Sequence, residues 1–200
     1  MLKAGLTGSI AVGKSNVLSI FAELGCDVLD ADQTARDVVK AGSHGLARIV
    51  EEFGYQVLTP FGELDRKTMG SIVFADKKKR ERLNSIVHPL VIEAQDRWIR
   101  EREEIDPDGI AIVDAALMIE SGGYRRFDKL IVVWCEAAIQ LQRLMLRDNL
   151  TREEAQKRID SQMPQEEKKR FADHLIDTSA GFDDTRKQTL EVYAQLRLSA

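Results

Sequence analysis

Residues 8–15 read Gly-Ser-Ile-Ala-Val-Gly-Lys-Ser, the G-x-x-x-x-G-K-[ST] spacing of a phosphate-binding loop. A triphosphate chain is highly charged and needs donors that approach it without steric obstruction. Gly8 permits a sharp turn after a strand, and Gly13 permits close passage of the backbone. The N–H groups from Ser9, Ile10, Ala11 and Val12 onward to Asn16 are expected to face the phosphates, with the next helix presenting its N-terminus to the anion. Lys14 is placed to reach the β- and γ-phosphates, and Ser15 to offer its hydroxyl to Mg²⁺.

Three acids share a type of position. Asp30 and Asp32 end one apolar run, and Asp114 ends another, Ile110-Ala111-Ile112-Val113. A carboxylate in Asp114's place supports Mg²⁺ directly or through water, or simply caps a turn. A carboxylate at Asp32 can orient an acceptor hydroxyl and take its proton, or it can N-cap the helix that follows. Arg143 and Arg147 lie four apart on one helical face, with Arg158 further on. Such arginines either neutralise charge on a phosphoryl group in flight or form a solvated face with Asp148 and Glu154. His88 precedes Pro89 and is read as a substrate contact or a helix cap, while His44 and His174 lack companions at zinc-ligand spacing. Lys77–Arg82 is a basic run best read as a solvated helix face.

The elements that must hold these residues alternate. Strands are expected near Leu2–Leu6, Cys26–Leu29, Ile110–Val113, Lys129–Trp134 and His174–Ile176, with helices between them. That alternation implies parallel βαβ units with right-handed crossovers, so ligands bind at the carboxyl ends of the strands. The gap of about 80 residues between the second and third strands exceeds a simple crossover. It reads as a helical insertion with helices at Asp32–Lys40, Gly45–Phe53, Arg66–Phe74, Lys77–Ile86 and Pro89–Glu104. A second insertion carries a helix at Ala137–Asp148, a capping box opening at Thr151, and a short helix starting at Pro164. A last helix runs over Asp183–Leu198.

Hydrophobic residues make up 44% of the 200, enough for a sizeable core, and the formal charge of −4 gives no polyanion-binding signature. Cys26 and Cys135, both expected inside strands, read as reduced buried thiols. The first residues lead straight into a strand, so no signal peptide is expected, and no apolar run reaches membrane-span length. A cytoplasmic protein is the expectation.

Several segments together resemble the dephospho-coenzyme A kinase family, over nearly the whole chain. They are Gly5-Leu6-Thr7-Gly8 with Gly13-Lys14-Ser15; Asp30-Ala31-Asp32 with Ala35-Arg36; Leu64-Asp65-Arg66 with Val73-Phe74; Leu83-Asn84 with Ile86-Val87-His88-Pro89; Asp114 with Leu117 and Glu120; Gln140 with Arg143 and Arg147-Asp148; Gln162; and Ala172-Asp173 with Ile176-Asp177. The chain departs from the family at Ser9, Ala11 and Val12, where the loop is usually richer in glycine. It departs also at Ala116-Leu117-Met118-Ile119-Glu120, usually Pro-Leu-Leu-Phe-Glu, and at Thr178, usually an asparagine, where base recognition would be touched.

The resemblance implies transfer of the γ-phosphoryl of ATP to the ribose 3′-hydroxyl of dephospho-coenzyme A, with Mg²⁺. It implies an α/β, three-layer P-loop kinase fold: a five-stranded parallel core (about 1–31, 108–136 and 172–200), a helical acceptor-binding subdomain (about 32–107) and a lid (about 137–171). Asp32 is then the residue that activates the hydroxyl, Arg143 and Arg147 are lid residues, and Arg66, His88 and Pro89 belong to the acceptor site. The expected partners are ATP and dephospho-coenzyme A, without nucleic acid or membrane, in a monomer or weak homo-oligomer. The rival readings are another small-molecule or nucleotide kinase of adenylate-kinase-like fold, and a nucleotide-dependent switch or binding module. No guanine-reading Asn-Lys-x-Asp is present for a GTPase.

Overall fold

β1 (Leu2–Gly8) is the middle strand of a five-stranded parallel sheet in the computed structural model, which describes residues 1–199. The other strands are β2 (Asp27–Asp30), β3 (Ile110–Asp114), β4 (Lys129–Trp134) and β5 (His174–Asp177), in spatial order β2-β3-β1-β4-β5. β1 pairs with β3 through Leu2↔Ile110 to Leu6↔Asp114, and with β4 through Ala4↔Lys129 to Gly8↔Val133. Alternate residues divide between two covered faces. Leu2, Ala4 and Leu6 join Ile110, Ile112, Ile131, Val133 and Ile176 on one face, packed on Val17 and Phe21 of α1 (Lys14–Glu23) and on Val192 and Leu196 near the C-terminus. On the other face Gly5 lies so close to Met118 that a Cβ there would fall 2.5 Å from its sulfur.

The chain forms two compact units: Met1–Leu29 with Glu101–Ala200, and Asp30–Arg100. In the first, α6 (Ala137–Asp148), α7 (Arg152–Asp160) and α8 (Gln165–Lys169) precede β5, and α9 (Phe182–Arg197) follows it. Leu141, Leu144 and Ala155 form a small core between α6 and α7, and Ile10 and Ala11 of the phosphate loop pack on it. The second unit carries α2 (Ala31–Asp37), α3 (His44–Phe53), α4 (Arg66–Ala75) and most of α5 (Lys77–Ile105). Its own core is Val39, Ile49, Phe53, Val57, Met69 and Ile86.

Four local expectations are corrected. Helices expected on either side of Pro89 are one continuous helix, α5. Proline deletes a single ladder donor, and the residues just before it, Leu83, Ile86 and Val87, are anchored in the second unit's core. α2 is capped by Asp30, not Asp32: the Asp30 carboxylate accepts from the N–H groups of Asp32 (2.8 Å) and Gln33 (3.1 Å). Cys26 and Cys135 flank strands instead of lying within them, though both are buried and unpaired. Pro164 is the N-cap of α8, one residue before the helix proper.

Candidate active site

The loop after β1 is shaped by backbone geometry. At Gly8 an added Cβ would lie 2.5 Å from the Val133 carbonyl oxygen, so glycine is required there by contact with β4, not by the sharp turn expected. Gly13, the N-cap of α1, has φ 87 and offers no side-chain cap. Ala11 also sits in the left-handed region, at φ 61, a conformation that costs a residue with a Cβ roughly 1–2 kcal/mol. Among the described residues the N–H groups of Ala11, Val12 and Gly13 donate to no protein acceptor. A bend of donors above an uncapped helix start fits a phosphate group.

Side chains hold this bend from outside. Gln162 accepts from the Ile10 N–H (2.8 Å), and Gln140 Nε2 donates to the Ile10 carbonyl (2.8 Å). Gln165 backs Gln140 with a 2.8 Å bond and accepts from the Cys135 N–H at 3.1 Å. Thr178 Oγ1 donates to the Val12 carbonyl at 2.7 Å and accepts from Arg143 Nη1 at 2.7 Å.

Lys14 folds back to form an ion pair with Asp114, at the end of β3 beside Leu6. Ser15 is exposed at the first turn of α1. Arg143 and Arg147 part company despite sharing a helix. Arg143 turns to Thr178, bonding its carbonyl as well (2.7 Å), whereas Arg147 and Arg158 both close on Asp148, at 2.8 and 2.7 Å. The Arg147 hydrogen bond, with the charges of Arg147 and Arg158, holds the Asp148 carboxyl below the usual carboxylate range. Burial pushes the Cys135 thiol up, against the opposing charge of Arg143.

Asp32, Arg66, His88 and Pro89 belong to the second unit, and all four are exposed. Asp32 is in the first turn of α2, Arg66 opens α4 behind its cap Asp65, and His88 and Pro89 lie in mid-α5, where His88 caps nothing. Among the described residues the side chains of Asp32, Arg66 and His88 enter no hydrogen bond or ion pair.

The CoaE dephospho-CoA kinase family model matches residues 2–184. The chain belongs to the dephospho-CoA kinase family. It is therefore a kinase, and the resemblance read from its motifs holds over the whole matched length. A dephospho-CoA kinase of Listeria monocytogenes serotype 4b is 44% identical over 190 residues, covering 93% of this chain and 92% of its own. A dephospho-CoA kinase domain-containing protein of Danio rerio is 42% identical, covering 98% and 86%. Among solved structures, dephospho-CoA kinase from Campylobacter jejuni superposes with TM-score 0.75 at 29% identity, covering 98% of each chain. A shikimate kinase of Bacteroides thetaiotaomicron, at 14% identity and TM-score 0.51, shares the P-loop kinase fold. An ATP-using P-loop kinase of this family generally needs a divalent metal.

Two features of this dephospho-CoA kinase family member escaped the sequence reading. Lys168 is wholly buried, its ammonium 2.8 Å from Glu120 and 2.8 Å from the Ala116 carbonyl, tying α8 to the segment after β3. Its neighbours Glu166, Glu167 and Lys169 are all charged, so composition offers no sign that one lysine turns inward. Gln165 likewise carries no motif; its role follows only from its bond to Gln140.

Proposed function

We propose that the chain phosphorylates the ribose 3′-hydroxyl of dephospho-coenzyme A with ATP, the last step of coenzyme A synthesis. The observation that carries the reading is the row of unengaged N–H groups at Ala11, Val12 and Gly13, above an uncapped helix, in a chain of this family. In this reading Gly8, Ser9, Ile10, Ala11, Val12, Gly13, Lys14, Ser15 and Asn16 form the ATP site. Lys14 leaves Asp114 for the β- and γ-phosphates and, with Arg143 and Arg147, balances charge on the transferred group. Asp32 orients the 3′-hydroxyl and takes its proton as the hydroxyl oxygen bonds to the γ-phosphorus. The bond to the bridging oxygen breaks, and ADP leaves. Arg66, His88 and Pro89 contact the acceptor, within a helical acceptor-binding part at about 32–107. The segment at about 137–171 serves as a lid that excludes water and so prevents idle ATP hydrolysis.

The metal is Mg²⁺, and the donor set fits it. Among the described residues no cluster of three or more His, Cys, Asp or Glu side chains could hold a metal alone. Ser15 and Asp114 supply one hydroxyl and one carboxylate, which suits an ion carried mainly by phosphate oxygens and water. When bound, it neutralises phosphate charge and keeps the transferred group in line. No helix among the described residues is long and apolar enough to cross a membrane. Two buried, unpaired thiols suit the cytoplasm, where we place the enzyme.

The test is ATP-dependent phosphorylation of dephospho-coenzyme A, with the product phosphate mapped by ³¹P and ¹H NMR. Phosphate on the ribose 3′-oxygen is expected. A strong preference for a nucleoside monophosphate in an acceptor panel would overturn the assignment.

A further inference from the structure

Thr178 joins four separate segments within one buried node. Its side chain is 3% exposed. Its N–H donates to the Trp134 carbonyl at the end of β4 (3.0 Å), and its own carbonyl accepts from Arg143 Nη2 of α6 (2.7 Å). Its hydroxyl donates to the Val12 carbonyl of the phosphate loop (2.7 Å) and accepts from Arg143 Nη1 (2.7 Å). A hydroxyl has one proton and two lone pairs, so the donation to Val12 fixes the direction of the relay: guanidinium to hydroxyl to carbonyl. The bond to Val12 is buried and those to Arg143 partly so, which makes each stronger than at the surface and costlier to leave half made. The same side chain abuts Gly13, where an added Cβ would stand 3.3 Å from Thr178 Oγ1.

We infer that Thr178 is a positioning residue for ATP: it holds the Val12 carbonyl towards itself, and by doing so aims the N–H group of Gly13, which shares that planar peptide, at the phosphates, while holding Arg143 beside the loop. The role differs from the base recognition expected at this position, because both hydroxyl bonds go to loop and arginine. The inference rests on the proposed ATP site but not on the acceptor.

The test measures ATP affinity by calorimetry without acceptor, and KM for both substrates in turnover, for Thr178→Val and Thr178→Ser. Valine keeps the shape and deletes the hydroxyl; serine keeps the hydroxyl. Thr178→Val is expected to weaken ATP binding about tenfold, equivalent to about 1.4 kcal/mol, with KM for dephospho-coenzyme A within about twofold of wild type. Thr178→Ser is expected to return ATP affinity to within about threefold of wild type. A merely structural role would lower the active fraction, and hence kcat, without moving ATP affinity; that result overturns the inference. Equal weakening by valine and serine also overturns it, since packing and not the hydroxyl would then matter. If the valine protein does not fold, Thr178→Ala removes the hydroxyl with less bulk beside Gly13 and is read the same way. A wild-type protein that binds ATP but never phosphorylates dephospho-coenzyme A would sink the proposed reaction and leave this inference standing.

Discussion

Asp32 and Asp30 show how two like residues, two apart, divide the work. Asp30 accepts the two N–H bonds that start α2, which leaves the exposed Asp32 carboxylate in the first turn without a capping duty. Asp32→Asn is expected to lower turnover about 10²-fold or more with ATP binding nearly intact, whereas Lys14→Ala should weaken both; steady-state kinetics with calorimetry separates the two. Ala11 bears a prediction of its own. At φ 61, Ala11→Gly relieves left-handed strain while adding freedom to the unfolded chain, so the net gain is expected near 1 kcal/mol in urea unfolding. At this scale glycine, lysine and serine of the loop were legible because their chemistry needs them at fixed spacing. Thr178 was visible only as a departure, and its partners, Val12 and Arg143, lie 166 and 35 residues away. Side-chain bonds of that range leave no local pattern.

Among the elements, α7 has the most complete cap. Thr151 Oγ1 accepts from the Glu154 N–H (3.3 Å), and Glu154 accepts from the Thr151 N–H (2.9 Å). Thr151→Ala is expected to cost about 1 kcal/mol, read in urea unfolding. The Thr151 bonds hold the Glu154 carboxyl below its ordinary value, and Asp148, which joins α6 to α7 through Arg158, is lowered as well. Groups with depressed values stabilise the fold above the ordinary carboxylate range and lose that contribution as pH falls through their lowered values. Below about pH 4, α7 should therefore loosen before the sheet does, which amide exchange along α7 and β1 can check. The capping box was legible because it is local, three residues long and chemically explicit. The continuity of α5 through Pro89 is not legible for the opposite reason: packing of Leu83, Ile86 and Val87 into a core built from distant segments outweighs one lost bond.

For the molecule as a whole, apolar runs and their alternation with helical stretches identified five parallel strands. The order β2-β3-β1-β4-β5 depends on pairings that no local pattern encodes. Both thiols are buried, and burial pushes Cys26 up to about 12. Neither cysteine should react with iodoacetamide at neutral pH until the protein unfolds, a result mass spectrometry reads directly. With Cys26 raised, the stability it contributes is whole below the ordinary thiol value near 9 and is lost as pH climbs towards about 12.

The central place of β1 has a consequence for biosynthesis. The strand leaves the ribosome well before both its ladder partners, β3 and β4, which are encoded about a hundred residues later. At about 5–20 residues per second, Leu2–Gly8 spends several seconds as a nascent apolar segment with neither edge paired, while the Asp30–Arg100 unit, whose core residues are all its own, can already collapse. Translation thus favours the inserted helices over the nucleotide-binding sheet, and the nascent chain is most exposed to chaperones and to aggregation before Asp114 emerges.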